Sequence, residues 1–453
     1  MAAPIAIDAA SRALARARDG RPTILSTAGR LAHAEARALR PPAASTPQIA
    51  WIAEDGEAWV AWGEAARLEA ETASEGPAIA DRCRTWLDGV VGPGQKLARW
   101  FGAMAFQSGE TPLGDQGPAA RFVLPEAVVR VTAAGVEAAV FRAVDPAASP
   151  EAVEGELKAA WAALETHMAV PAASAAWPAV REVVEDRPAW CHAVDRALEA
   201  LAAGRLDKVV LARPIRLVAD GPWQPWEVFR AIADRAPGTQ RFLWHEPGGH
   251  AFLGASPERL FAESAGRIQV DCLAGTAPCG EDAATDRAHG EALLASEKDR
   301  REHAWVVRAV VEALAPYTED LTMPESPVLM RLAHVQHLHT PAEGRLAPGA
   351  GLGDVLGALH PTPAVGGFPR GEAMALLAEL EGLPRGWYAG PIGWIGAEGA
   401  QFAVAIRSAY LKGDHAAVMA GAGIVAGSEP DREWEETARK AWPLVRLLTE
   451  GPA

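Results

Sequence analysis

The tightest constraint on the fold lies near the C-terminus. Residues 401–411 and 415–420 are apolar, strand-like runs separated only by Lys412-Gly413-Asp414. So short a connection, with glycine at its centre, turns the chain back on itself and predicts an antiparallel hairpin. Other stretches read as helices: 190–203, a single long one over 286–314 closed by Pro316, and a last one from Pro430, where proline suits the first helical turn. Hairpins mixed with long helices predict an α+β architecture rather than a doubly wound parallel sheet. Residues 421–426, "GAGIVA", match a dinucleotide-binding fingerprint after a strand. However, Gly-Ser-Glu-Pro follows instead of a helix, and too few residues remain beyond the next helix for a returning strand.

Two more strands are predicted, over 208–218 and 251–253, the second ending in a turn at 254–257. A break at 170–178, "VPAASAAWP", separates an alanine-rich first part, in which no chemistry is legible, from the rest. The 453 residues are 49% hydrophobic and 22% charged, a globular composition that contains no apolar run of membrane-spanning length. The first eighteen residues lack an uninterrupted apolar segment and Asp8 interrupts a transit-peptide pattern, so a cytoplasmic location is expected. Four cysteines (Cys83, Cys191, Cys272, Cys279) form no CxxC pair and are too few for a disulfide framework. A net charge of -15 with no basic block argues against nucleic acid as a partner. A small anionic substrate would need positive charge gathered locally.

Lysine usage narrows the search. Only six lysines occur against 37 arginines, so arginine supplies the ordinary surface charge. A lysine kept in an apolar strand is then a candidate for chemistry that arginine, never deprotonated in proteins, cannot perform. Lys208 in "LDKVVLAR" is such a residue, although a strand-end lysine can also simply reach out to water. Glu258, in the post-strand turn of "FLGASPERLF", is flanked by apolar residues that would raise its pKa and suit it to general-acid work. The bland alternative is a partner for Arg259. Glu302 stands in the charged run "SEKDRREH", most of which reads as a solvated helix face. Glu433, Glu436 and Lys440 share one face of the last helix, from which Trp434, Ala438 and Trp442 turn away. Acids in a first turn and an i,i+4 pair are ordinary helix furniture, but carboxylates three apart can also present oxygens to a hard cation. "HVQHLH", residues 334–339, resembles a zinc cluster, yet its spacing is unfamiliar and no fourth ligand is nearby.

Taken in order, "LDKVVLAR", "FLGASPERL", "LAGTAP", "LASEKDRREH", "VQHLHTP", "LHPTPAVGGFP", "YAGPIGW", "FAVAIRSA" and "GAGIVAGSEPDREWEET" resemble the chorismate-utilising enzymes. Nine ordered motifs over residues 190–447 are far more specific than any one of them. The resemblance implies two packed, mostly antiparallel sheets flanked by helices, with the active site in the cleft between them. It also implies a variable N-terminal part, 1–188, contributing to the same fold, and a chorismate-binding catalytic region, 189–447. Carried over residue by residue, it implies Mg²⁺ on Glu302 and Glu436, with Glu433 reaching the ion directly or through water. Substrate would be held by Arg407, Lys440, His337 and the backbone of Gly275, Thr276, Gly421, Ala422 and Gly423, while Lys208 and Glu258 act as base and acid.

Lys208 together with Ala274 resembles the combination of the family's water-adding members. Aminodeoxychorismate synthases typically carry a lysine where Ala274 stands, and anthranilate synthases typically lack the one at 208. "LHPTPAVGGFP" is likewise nearer to isochorismate synthases, whereas Pro278-Cys279 departs from the more polar pair of many relatives. The expected function is Mg²⁺-dependent isomerisation of chorismate to isochorismate by a monomer with neither a membrane nor a glutaminase partner. A salicylate synthase, which goes on to eliminate pyruvate, is the alternative.

Overall fold

The computed structural model describes residues 7–19, 21–31, 46–168, 176–280, 282–331 and 335–452. Most of the break at 170–178, the first six residues and His334 lie outside the described residues.

The architecture is α+β, built on two sheets. Among the described residues, one has thirteen strands and places Lys208–Ala219, His415–Ile424, Ser408–Lys412, His250–Ser256 and Gln240–His245 side by side. The other has nine described strands and places Val335–Arg345, Arg267–Pro278, Arg259–Ser264, Gly399–Val404 and Pro391–Gly396 side by side. Strands from the first 145 residues extend both sheets, among them Gln48–Ile52 in the larger and Arg99–Met104 in the smaller. Apart from a short parallel pairing of Ile24 and Leu25 with Val90 and Val91, the named strands pair antiparallel. Among the described residues no helix is long and apolar enough to cross a membrane.

Side-chain alternation explains the layering. Trp51 and Trp59 of the large sheet point inward with Trp244 and Phe242, meeting Phe122, Phe261 and Phe402 of the small one. Their neighbours Ala50 and Val60 point the other way, onto the helices Ile7–Arg18, Pro150–Met168, Pro225–Arg235 and Pro430–Glu450. Each fully buried phenylalanine contributes about 1.5–3 kcal/mol, so this inter-sheet layer, rather than any single hairpin, fixes how the sheets face each other.

Two sequence expectations need correction. The run 401–411 is not one strand. Gly399–Val404 belongs to the small sheet and Ser408–Lys412 to the large one, with a crossover at Ala405-Ile406-Arg407. Arg407 takes a left-handed φ of 52° there, sparsely populated for a residue with a Cβ. The hairpin with residues 415–420 does form, by pairing Ala409 to Val418 through Lys412 to His415. The expected helix over 286–314 is two helices, Ala283–Ala295 and Glu297–Leu314. They break at Ser296, whose hydroxyl accepts a hydrogen bond from the Asp299 amide and so caps the second. Glu302 therefore stands in the second turn of a new helix, not in the middle of a long one.

Candidate active site

Three chain crossovers between the sheets lie side by side. Ser256-Pro257-Glu258 leaves the large sheet for the small one, and its hydrogen bonds fix the turn: the Glu258 amide donates to Ser256 Oγ at 3.1 Å, and Ser256 Oγ–H donates to the Val404 carbonyl at 2.6 Å. Val404 in turn donates its amide to the Glu258 carbonyl at 3.0 Å, while Ala255 donates to the Arg407 carbonyl at 3.1 Å, tying this crossover to the second. Ala389, also left-handed with φ 63°, bonds its amide to the Ala405 carbonyl at 3.0 Å in the third. Glu258, Arg407 and Tyr388 are thereby brought to one edge of the inter-sheet cleft.

Lys208 enters from the large sheet. It is 5% exposed, and its ammonium donates to Glu302 Oε1 at 2.7 Å, so it does not reach out to water. Its neighbour on the next strand must be small, because a Cβ at Gly423 would lie 2.9 Å from Lys208 Cε. Gly421 is crowded too, with an added Cβ 3.0 Å from the Leu211 carbonyl and 3.2 Å from the Tyr388 hydroxyl. The glycines of "GAGIVA" are thus set by close strand neighbours, not by a pyrophosphate. Pairing with Ser408–Lys412 stops at Val418, so among the described residues the segment 421–423 has a strand only on its Lys208 side, and alternate backbone groups face the cleft.

The last helix is clamped to the same strand by Arg213. Its guanidinium stacks 3.4 Å from the Trp434 ring centroid, bonds Thr437 Oγ1 at 2.8 Å and pairs with Glu185 at 2.7 Å. Trp434 therefore packs inward, whereas Trp442 is 56% exposed. The clamp sets the opposite helix face over the cleft, where Lys440 pairs with Glu436 at 2.7 Å and donates to the Gly421 carbonyl at 3.0 Å. Arg407 Nη1 donates to the Lys440 carbonyl at 2.7 Å.

The small sheet supplies Gly275, Thr276 and His337. Gly275 is the extra residue of a β-bulge between Ala274 and Thr276 and has φ 73°, which a bulge of this kind favours in glycine. Thr276 Oγ1 and the Gly275 carbonyl lie 3.0 and 3.2 Å from His337 Nδ1.

The electrostatics separate these groups. Burial pushes the Glu258 carboxyl up to about 7, with Asp271 adding to the rise and Lys208 and Lys440 opposing it. Burial also raises Glu302, but the Lys208 ammonium more than reverses this and holds it below its ordinary value. Glu433 is raised by burial and by the neighbouring Glu436. His337 is driven down to about 4, chiefly by burial, and is a neutral ring at pH 7.

Among the described residues, no three histidine, cysteine or acidic side chains are gathered to hold a metal. The second and third histidines of "HVQHLH" are spoken for: His337 as above, and His339 by Asp271 Oδ1 at 2.8 Å. The carboxylates nonetheless fit a hard cation in their chemistry. Glu433 and Glu436 crowd each other, and Glu302 and Glu436 each already hold a lysine ammonium, so all three stand where positive charge is wanted. A cavity of about 140 Å³ lined by Trp244, Phe252, Trp387 and Tyr410 lies apart from these groups, and its charged rim is internally paired: Arg121 with Glu246, Lys412 with Asp115.

Sequence reasoning weighed His339 only within a zinc-like cluster and gave no role in this neighbourhood to Tyr388, Asp271 or Lys298. The scarcity of lysine could have marked the last. Asp271 and His339 meet only across paired strands, and Tyr388 reaches its partners from a turn far from them in sequence.

A family model described as "Chorismate binding enzyme" matches residues 12–449. The chain belongs to the chorismate-binding enzyme family. Within the family it is 38% identical to the isochorismate synthase MenF of Bacillus subtilis over 330 residues, 72% of this chain and 69% of that protein. It is 45% identical over 266 residues to the salicylate biosynthesis isochorismate synthase of Pseudomonas aeruginosa, an alignment covering 58% of this chain and 56% of that relative's length. The solved structure of MenF, the menaquinone-specific isochorismate synthase from Escherichia coli, matches with a TM-score of 0.80 at 27% identity, over 97% of this chain and 99% of that one. The two-sheet fold is thus the family's own.

Proposed function

We propose that this family member is an isochorismate synthase, isomerising chorismate by adding water at the ring carbon beside the carboxylate-bearing one and expelling the 4-hydroxyl. The observation that carries the reading is the meeting, in one cleft, of a buried lysine with a carboxyl held near neutrality. Lys208 takes a proton from the attacking water, and Glu258, protonated in a large fraction of molecules at pH 7, gives one to the departing hydroxyl. Because Lys208 is seen as an ammonium paired with Glu302, it must leave that pairing and give up its own proton, becoming a neutral amine, before it can take one from water. Arg407, Lys440 and His337, with the backbone of Gly275, Thr276, Gly421, Ala422 and Gly423, hold and orient the substrate. Glu302 and Glu436, with Glu433, would hold Mg²⁺, which when bound supplies positive charge against the substrate carboxylate. Ala274 offers no amine nucleophile, which favours water over ammonia and a chain working without a glutaminase subunit. A cytoplasmic monomer is the state we assign to it.

Chorismate consumption should require a divalent cation. EDTA should abolish it, Mg²⁺ should restore it, and Glu302→Ala should lose it at any Mg²⁺ concentration. Full activity in EDTA would contradict the assignment of these carboxylates.

A further inference from the structure

Three of the six lysines bear on one cluster of carboxylates. Lys208 is paired with Glu302 and Lys440 with Glu436, while Lys298 lies close enough for its charge to act on both Glu302 and Glu433. The first two ammonium groups, and Arg407 with them, are already engaged by protein oxygens. Among the described residues no ion pair or hydrogen bond engages Lys298, which is exposed.

Its place in the chain sharpens the contrast. Lys298 is the second residue of the helix Glu297–Leu314, four before Glu302 and so on the same face. A cation in a first helical turn opposes the helix dipole, so helix stability gives no reason for a lysine there. The next residue, Asp299, lies against the Gly275 bulge, with an added Gly275 Cβ only 3.2 Å from Asp299 Cβ, so Lys298 stands at the edge of the substrate cradle. An exposed, unengaged cation in a chain of net charge -15 is placed to meet an incoming anion.

We propose that Lys298 is a substrate-capturing residue, the entry cation for a dicarboxylate. This rests on the isochorismate synthase reading. Its counterpart is a role confined to balancing Glu302 and Glu433, and the two differ in what they move.

The test is steady-state kinetics of Lys298→Met and Lys298→Arg with chorismate over a range of ionic strength, together with the Mg²⁺ concentration for half-maximal activity. Capture of substrate should raise KM about three- to tenfold in the methionine variant, leave kcat within about twofold, and flatten the salt dependence of kcat/KM. The arginine variant should keep most of the affinity, and the Mg²⁺ requirement should not move. An unchanged KM and salt slope would overturn the proposal, as would a shifted Mg²⁺ requirement with unchanged KM. If the unmodified protein does not consume chorismate, the functional reading itself fails, independently of Lys298.

Discussion

Glu258 and Lys208 owe their properties to being folded into the cleft rather than to their neighbours in sequence. Burial raises the Glu258 carboxyl from its ordinary 4.5 to about 7, so the folded chain binds its proton more tightly than the unfolded chain. That preference stabilises the fold fully below pH 4.5 and is lost as the pH rises through 7. Glu258→Gln has no proton to lose. Its stability relative to the unmodified protein should therefore improve between pH 5 and pH 8, on the order of 2 kcal/mol for a group still partly exposed. Urea unfolding at the two pH values measures this, and a gap that does not change with pH would show that Glu258 is not held protonated. Lys208→Arg keeps the charge on Glu302 but cannot serve as a base. Turnover should fall by about 10² to 10⁴ while chorismate affinity survives through Arg407 and Lys440. Near-normal turnover would make Lys208 an anchor instead. Both residues were legible beforehand, Lys208 from the scarcity of lysine and Glu258 from its turn. Glu302, Glu433 and Glu436 were legible only through family resemblance, because a carboxylate on a helix looks the same whether it faces solvent or a cation. Asp271 gave no signal and His339 gave only a zinc-like one, since their partnership with each other spans 68 positions of sequence.

The segments around these residues show where pattern reading succeeds and where it stops. The strand beginning at Lys208 and the helix beginning at Pro430 lie where the sequence places them, because each is long, periodic and marked by a clear start. The change of sheet at residues 405–407 was invisible. Apart from Arg407 and Ser408, "FAVAIRSAYL" is apolar, and it is buried on both sides of the switch, so no alternation records which sheet a residue faces. Only the left-handed Arg407 reveals it, and a non-glycine residue in that conformation cannot be foreseen from composition. The split at Ser296 was readable in principle. Ser296 followed three residues later by Asp299 is a helix-start signature, overlooked within a run of charge.

Across the whole chain, the hairpin at 412–414 correctly announced an antiparallel α+β fold, but not that strands from the first 145 residues extend both sheets. Those strands carry weak local signals and earn their place through the inter-sheet layer of tryptophan and phenylalanine. The two sheets bring Lys208, Glu258, the carboxylates and the cations to one cleft, and the chemistry proposed for that cleft ends at hydroxyl transfer. The most direct test is to incubate the protein with chorismate, Mg²⁺ and ammonium and follow all products over time. Isochorismate should accumulate with no stoichiometric pyruvate and no nitrogen incorporated. Salicylate appearing with an equal amount of pyruvate, or an aminated product, would contradict the assignment.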